Sequence, residues 1–319
     1  MRPEGETFAG WAILAVLAAA PWLVAWLGQP FLMDLAIRLI IVAIAAVSLN
    51  LILGYGGMVS FGHAAFFGIG AYAIGIPAYY EDMSWITHLG AVVVFATAFA
   101  VITGVMSLRT RGVHFIMITM AFAQMCYFLF VSLEEYGADD GLNIWERTQI
   151  PFLDLEDNLT FYYVCLGALI LSLFIVHRIV NARFGQVIQG ARSNDRRMQA
   201  LGFPTFRYRL VAYVIAGLMC AFAGALEANR NYFISPDMMD WTRSGEFIFM
   251  VVLGGTARLY GPLFGVVIFI VLEEYLEVLM DAISPGLGIY WHLPFGLLLI
   301  LVVLFVRGGI SGLMGSRRA

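Results

Sequence analysis

Lysine is absent: all 18 basic residues among the 319 are arginine. That absence removes whole mechanisms, because a phosphate-cradling GxxxxGK[ST] loop and a Schiff base both require the lysine amine. If ATP drives the work of this chain, another chain must hydrolyse it. Charge of either sign is scarce, at 13% of residues, where a soluble domain carries about 25%. With 61% of residues hydrophobic, the apolar surface exceeds what one water-facing core can bury, so lipid is the expected solvent for much of it. Cysteine is limited to Cys126, Cys165 and Cys220. These lie in apolar runs without metal-ligand spacing or the even number of a disulfide framework, and are expected as small buried hydrophobes. HExxH, GxSxG and CxxC are also missing, so no catalytic centre, metal site or cofactor is expected.

What the sequence has in quantity is long apolar runs, near residues 9–27, 31–53, 64–80, 86–108, 113–133, 160–178, 210–228 and 289–306. A helix rising about 1.5 Å per residue crosses about 30 Å of hydrocarbon in about 20 residues, and the runs approach that length. The alternation of an outer-membrane barrel is missing, and lipid offers no partner to open backbone, so the runs are predicted helices. The first lacks a convincing cleavage site and is expected to be retained. The expected fold is an all-α integral membrane protein, a polytopic bundle of about eight to ten transmembrane helices, with residues 1–319 as one domain.

Charge sorts by side. From 177 to 209 stand Arg178, Arg183, Arg192, Arg196, Arg197, Arg207 and Arg209 against the single acid Asp195, which predicts a cytoplasmic loop. The loop at 134–159 carries Glu134, Glu135, Asp139, Asp140, Glu146, Asp154, Glu156 and Asp157 with one arginine, Arg147, and is expected outside. Counting from these, Arg109 and Arg111 fall inside, Glu81 and Asp82 outside, and Arg2 inside. The apolar region 246–280 decides the far end. As one span it would strand Arg307, Arg317 and Arg318 outside; split at 254–262 it crosses twice, giving ten crossings, with Arg258 and both termini cytoplasmic. The split is the preferred reading, with 246–257 open as a broken or re-entrant helix.

Two glycine-rich interruptions, 53–63 and 253–262, fall in the two halves of the chain. Such breaks mark translocation pathways, since freed backbone must line protein or water, and they also serve tight helix packing. The pathway reading singles out Gly54, Tyr55, Gly56, Ser60, His63, Gly254 and Gly255; for His63 alone a hydrogen-bonded helix cap is the preferred reading. Gly68, Gly70 and Gly75 form a small-residue stripe suited to close packing. Asp34 and Arg38 stand one turn apart, as an (i, i+4) pair. The stretch 229–245, with Asp237, Asp240, Arg243 and Trp241, is read as an outer loop, either a solvated rim or a contact for a delivery protein.

The arginine-rich loop is too long for a plain connector. Residues 186–201 contain one glycine and no proline, and with Val187, Ile188, Ala191, Met198 and Leu201 they are expected to form one or two short helices ended by Gly202 and Pro204. Its apolar minority suits a protein partner, and its arginines suit anionic lipid.

Residues 50–72, containing Gly54-Tyr55-Gly56-Gly57-Met58-Val59-Ser60-Phe61-Gly62-His63, resemble the signature of ABC-type permeases for branched-chain amino acids. So do Arg109-Thr110-Arg111-Gly112, Leu201-Gly202 with Tyr208-Arg209-Leu210, Ala221 to Leu226, Val252-Leu253-Gly254-Gly255 and Tyr260-Gly261-Pro262, in order across 30–306. The match is to the second of the two unlike permeases such systems contain. The resemblance implies a multi-pass subunit of the bacterial inner membrane, a second permease, two cytoplasmic ATPases that use the ATP, and a periplasmic binding protein. Leucine, isoleucine or valine is the implied cargo, while close relatives carry urea, short amides or aromatic acids. No nucleic-acid partner is expected. The segment Arg192, Asp195, Arg196, Arg197, Met198, Leu201, Gly202 is similar to the loop that seats in the ATPase, except that Arg197 and Met198 replace small residues, implying a matching groove in the partner. The reading from another class is a stand-alone secondary transporter or channel, which requires intramembrane acids; Glu273, Glu274 and Glu277 are the main ones.

Overall fold

The computed structural model describes residues 4–27, 30–151, 153–284, 286–290, 292–305 and 309–310. It is helical almost throughout, as the apolar runs require. Among the described residues, five helices are long and apolar enough to cross a membrane: Phe31–Tyr55, Trp85–Ser107, Val113–Val131, Asn158–Asn181 and Thr205–Asn231. The first of these includes α2 (Pro30–Asn50) and is 83% buried, whereas α4 (Trp85–Ser107) and α5 (Val113–Val131) are 28% and 22% buried. α2 is therefore the axis of the bundle, and α4 and α5 turn Phe95, Ile102, Met125 and Phe128 outward, as a lipid-facing surface requires.

Around α2 pack α6 (Asn158–Asn181) and α8 (Thr205–Asn231), with α1 (Glu4–Leu27) on the periphery against α2 and α6, while α3 (His63–Tyr79) packs on α8. The broadest helix contact joins α3 to α8. It closes to backbone distance because Gly70 lies against the Ala221 carbonyl and Gly224 against the Phe67 carbonyl, which is the close packing expected of the small-residue stripe. Cys126, Cys165 and Cys220 are buried thiols.

The apolar region after 240 is split as the arginine count demanded. α9 (Trp241–Gly254) ends at Gly255, whose φ is 118°, and α10 (Gly261–Ile283) resumes behind a turn; α11 (His292–Phe305) follows. The terminal arginines behind the sidedness argument, Arg2, Arg307, Arg317 and Arg318, lie outside the described residues. The arginine-rich loop is α7 (Arg183–Ala200), kinked at Asn194 into two short helices.

The solvated-rim reading of 229–245 is overturned. After β2 (Phe233–Ile234) pairs with β1 (Leu142–Asn143), the chain turns inward, and Met239 meets Gly68 on α3. Asp240 caps α9 by accepting the Trp241 N–H (2.8 Å) and also accepts the Gln124 amide from α5 (2.7 Å). Gln124 stands about 16 Å along α5 from Val113 and about 10 Å from Val131, at about 1.5 Å per residue. α9 thus begins within the membrane rather than at its edge, and Arg243 and Glu246 belong to its first turns. An apolar periodicity scan starts the helix at 246 because the polar turn before it looks like loop.

The acidic loop is held by its one arginine. Arg147 is buried, donates to the Asn229 (2.9 Å) and Leu155 (2.6 Å) carbonyls and to Asn158 Oδ1 (2.9 Å), and lies over Phe161. Asp157 caps α6, and donation from the Thr160 hydroxyl and N–H and the Leu159 N–H holds its carboxyl below the ordinary 3.8. A depressed carboxyl stabilises above the unfolded value and loses that contribution as pH falls through the folded one, so this cap weakens only on strong acidification.

Candidate functional site

The two glycine-rich breaks, some two hundred residues apart in sequence, meet. α2 runs on through the π turn Leu51–Tyr55, and Asn50 at its end accepts the Ala257 N–H (3.1 Å) and donates to the Arg258 carbonyl (2.7 Å). Gly54 lies so close to Ala257 and Asn50 that a Cβ there would overlap both. One amide side chain therefore joins the break after α2 to the break between α9 and α10. Asn50→Leu removes the side-chain partner of two polar backbone groups at a cost of about 2 to 4 kcal/mol. The expected outcome is a clear drop in the melting temperature of the purified protein, larger than that of Asn50→Gln.

The residues expected along a pathway, Gly54, Tyr55, Gly56, Ser60, His63, Gly254 and Gly255, are all buried within this chain. His63 does not cap its helix: Gly62 holds that position, and His63 Nε2 bonds instead to Ser48 Oγ on α2 (2.8 Å). Because that hydroxyl already donates to the Ala45 carbonyl (2.7 Å), the ring nitrogen is the donor.

α7 lies against the first break. Arg192 donates to the Gly54 carbonyl, and its stem fills the space beside Gly57, whose φ of 68° favours glycine. Asp195 is buried and receives Arg111 from the turn before α5, Arg209 from α8 (3.4 Å) and Gln199 (2.9 Å). A cavity of ≈ 320 Å³ remains between the break, the 108–112 turn and α7. Beyond the kink, Asn194 Oδ1 accepts the Arg197 N–H (3.0 Å) and starts the second short helix. Met198, bulkier than the small residue usual in the resembling loops, folds back onto Gly190. Arg196, Arg197, Leu201 and Gly202 are exposed. The segment thus divides into residues that hold it to the bundle, Arg192 and Asp195, and residues it presents outward.

Arg192 ties α7 to Gly54, and Asn50 ties the end of α2 to 257–258. Sequence reasoning missed Asn50 and Arg111 as members. An amide closing an otherwise apolar run was the available signal for Asn50; the arginine pair before α5 told of sidedness and of the family resemblance, not of a contact with α7.

The expected Asp34–Arg38 pair is not formed. Arg38 reaches α10 and binds Glu273 (2.9 Å) and Glu274 (3.0 Å), while Asp34 binds Arg230 of α8 (2.6 Å). A guanidinium forks across two carboxylates on a facing helix more favourably than it folds back along its own.

The family model described as branched-chain amino acid transport system, permease component, matches residues 31–306. The high-affinity branched-chain amino acid transport system permease protein LivM of Escherichia coli (strain K12) is 26% identical over 294 residues, covering 83% of this chain and 68% of that one. A probable LivM protein of Methanocaldococcus jannaschii is 27% identical over 160 residues, 47% of this chain and 46% of that one. Among solved structures, PsaBC from Streptococcus pneumoniae in complex with Fab superposes with a TM-score of 0.50 at 12% identity, over 90% of this chain and 95% of that chain, a likeness of fold alone. A polytopic helical bundle with two joined glycine breaks, matched over nearly its whole length, belongs to the family of branched-chain amino acid transport system permease components.

Proposed function

We propose that this chain is one of two unlike permease subunits of an ATP-driven importer of leucine, isoleucine and valine in a bacterial inner membrane. The observation that carries this reading is α7, which is anchored inward by Arg192 and Asp195 and offers Arg196, Arg197 and Leu201 outward. On this reading α7 and the 108–112 turn face the cytoplasm, as their arginines require, and α7 seats in one of two ATPase subunits that consume the ATP. The acidic loop then faces a periplasmic binding protein, and the apolar faces of α4 and α5 meet lipid. The permease carries no cofactor of its own and performs no covalent step: ATP-driven closure of the partners moves α7, and the helices follow.

Arg196→Glu with Arg197→Glu, placed in the assembled transporter in proteoliposomes, is expected to lower leucine uptake per ATP hydrolysed about fivefold, with membrane insertion intact. Unchanged stoichiometry and uptake overturn the docking assignment. Uptake by the unaltered complex that runs on an ion gradient without ATP identifies a secondary transporter instead.

A further inference from the structure

Beside the first turn of α7 the bundle opens. A cavity of ≈ 510 Å³ is walled by His177, Arg178 and Asn181 at the end of α6, by Phe184 of α7 and by Val211 and Ile215 of α8. The corner above it is tightly built: Phe184 packs on Tyr208 of α8 (5.3 Å between rings), and a Cβ at Gly185 would overlap the Ile179 and Val180 carbonyls. Both helical walls change character with depth. On α8, Val211 and Ile215 lie one and two turns below Arg207 on the same face, and on α6 the exposed Phe174 lies one turn below Arg178. Each wall thus runs from an arginine near the helix end to apolar side chains about 6 to 12 Å deeper, at about 1.5 Å per residue. Leu171, Phe174 and Val211 are exposed, so the cavity is continuous with apolar surface of the kind that meets lipid.

The charge at the rim is uncompensated. Arg178, Arg183 and Arg207 form no ion pair among the described residues. Asp195 is the single acid from 158 to 226, and it is engaged by Arg111 and Arg209. An apolar trough beneath unpaired guanidinium groups is complementary to an anionic amphiphile, and basic pockets between transmembrane helices hold such head groups. Phosphate at the level of the arginines with hydrocarbon below is also the order in which a bilayer presents them.

We propose that this groove between α6, the start of α7 and α8 binds one anionic phospholipid, its phosphodiester on Arg178 with Arg183 and Arg207 alongside, and its acyl chains against Val211, Ile215 and Phe174. The site lies at the opposite end of α7 from the exposed Arg196 and Arg197, so the lipid leaves those residues free.

The test places the purified full chain in nanodiscs of equal dioleoyl phosphatidylglycerol and dioleoyl phosphatidylcholine, releases it into mild detergent and counts retained lipid by native mass spectrometry. One phosphatidylglycerol per chain is expected, preferred about fivefold over phosphatidylcholine. Arg178→Gln is expected to bring that preference to parity, a loss of about fivefold, which is the contribution of one arginine near an anionic surface. Arg178→Lys, which keeps the charge, is expected to retain at least half of it. Arg109→Gln, at an arginine outside the groove, is expected to change nothing. Ile215→Trp, which fills the floor and alters no charge, is expected to displace the lipid. Equal preference in wild type and Arg178→Gln overturns the site, and so does unaltered retention by Ile215→Trp, which would mean that surface arginines gather lipid without the groove. Displacement of the lipid by inorganic phosphate alone identifies a free-anion site and overturns the proposal. Exclusion from the assembled transporter of a lipid that the single chain retains assigns the groove to a neighbouring subunit and overturns it as well.

Discussion

Gly224→Val is expected to leave almost no folded protein in the membrane fraction. The obstacle is backbone: a Cβ at 224 overlaps the Phe67 carbonyl, and the neighbouring Gly70 meets the Ala221 carbonyl in the same way. Side chains can change rotamer to relieve a clash, but a helix carbonyl moves only with its helix. Relief would therefore separate α3 from α8, the broadest contact in the molecule, and inserting even single methylenes into packed cores costs about 1 to 3 kcal/mol. An isopropyl group wedged at the point of closest approach exceeds that range and consumes much of the about 5 to 15 kcal/mol that holds a typical fold. Gly90→Val on α4 is the control, since a Cβ at 90 meets nothing within 4 Å. It is expected to accumulate at the wild-type level, so that the comparison reads packing rather than glycine content. Quantitative blotting of the membrane fraction checks both.

Asp195→Ala is expected to release α7 and reduce uptake to background. The two arginines that meet this carboxylate weigh differently. Arg111 is 59% exposed and its contact contributes little. Arg209 is 13% exposed and would keep only the Ala191 carbonyl (3.1 Å). Stranding a partly buried guanidinium costs about 3 to 5 kcal/mol. Limited proteolysis across Arg183–Ala200 and a thermal melt measure the release. Replacing both charges, as in Asp195→Leu with Arg209→Met, removes the stranded ion, and the melt is expected to return to within about 1 kcal/mol of wild type. If the single variant melts like wild type, the ion pair does not hold α7.

The helices were legible because lipid enforces a crude rule, a long apolar run. The break between α9 and α10 was legible from the glycine run at 253–262 together with the sidedness of the arginines, and α7 from the scarcity of helix breakers in 186–201. The polar start of α9 was not, because Asp240, Arg243 and Glu246 look like a surface turn until Gln124 places them at depth. Asp34 and Arg38 show a related limit: spacing along one helix identifies a possible pair, but the facing helices α8 and α10 decide the actual one. The joining of the two breaks rests on Asn50, a single amide whose partners are main-chain groups, and main-chain partners leave no trace in side-chain identity.

That joint bears on which parts can move. Because Asn50 fastens the turn at 257–258 to the end of α2, and Arg192 ties α7 to Gly54 beside it, the two halves of the chain share one rivet at this end. A hinge between the halves would have to shear it. On the import reading proposed above, the moving part is then the whole subunit rather than one half of it.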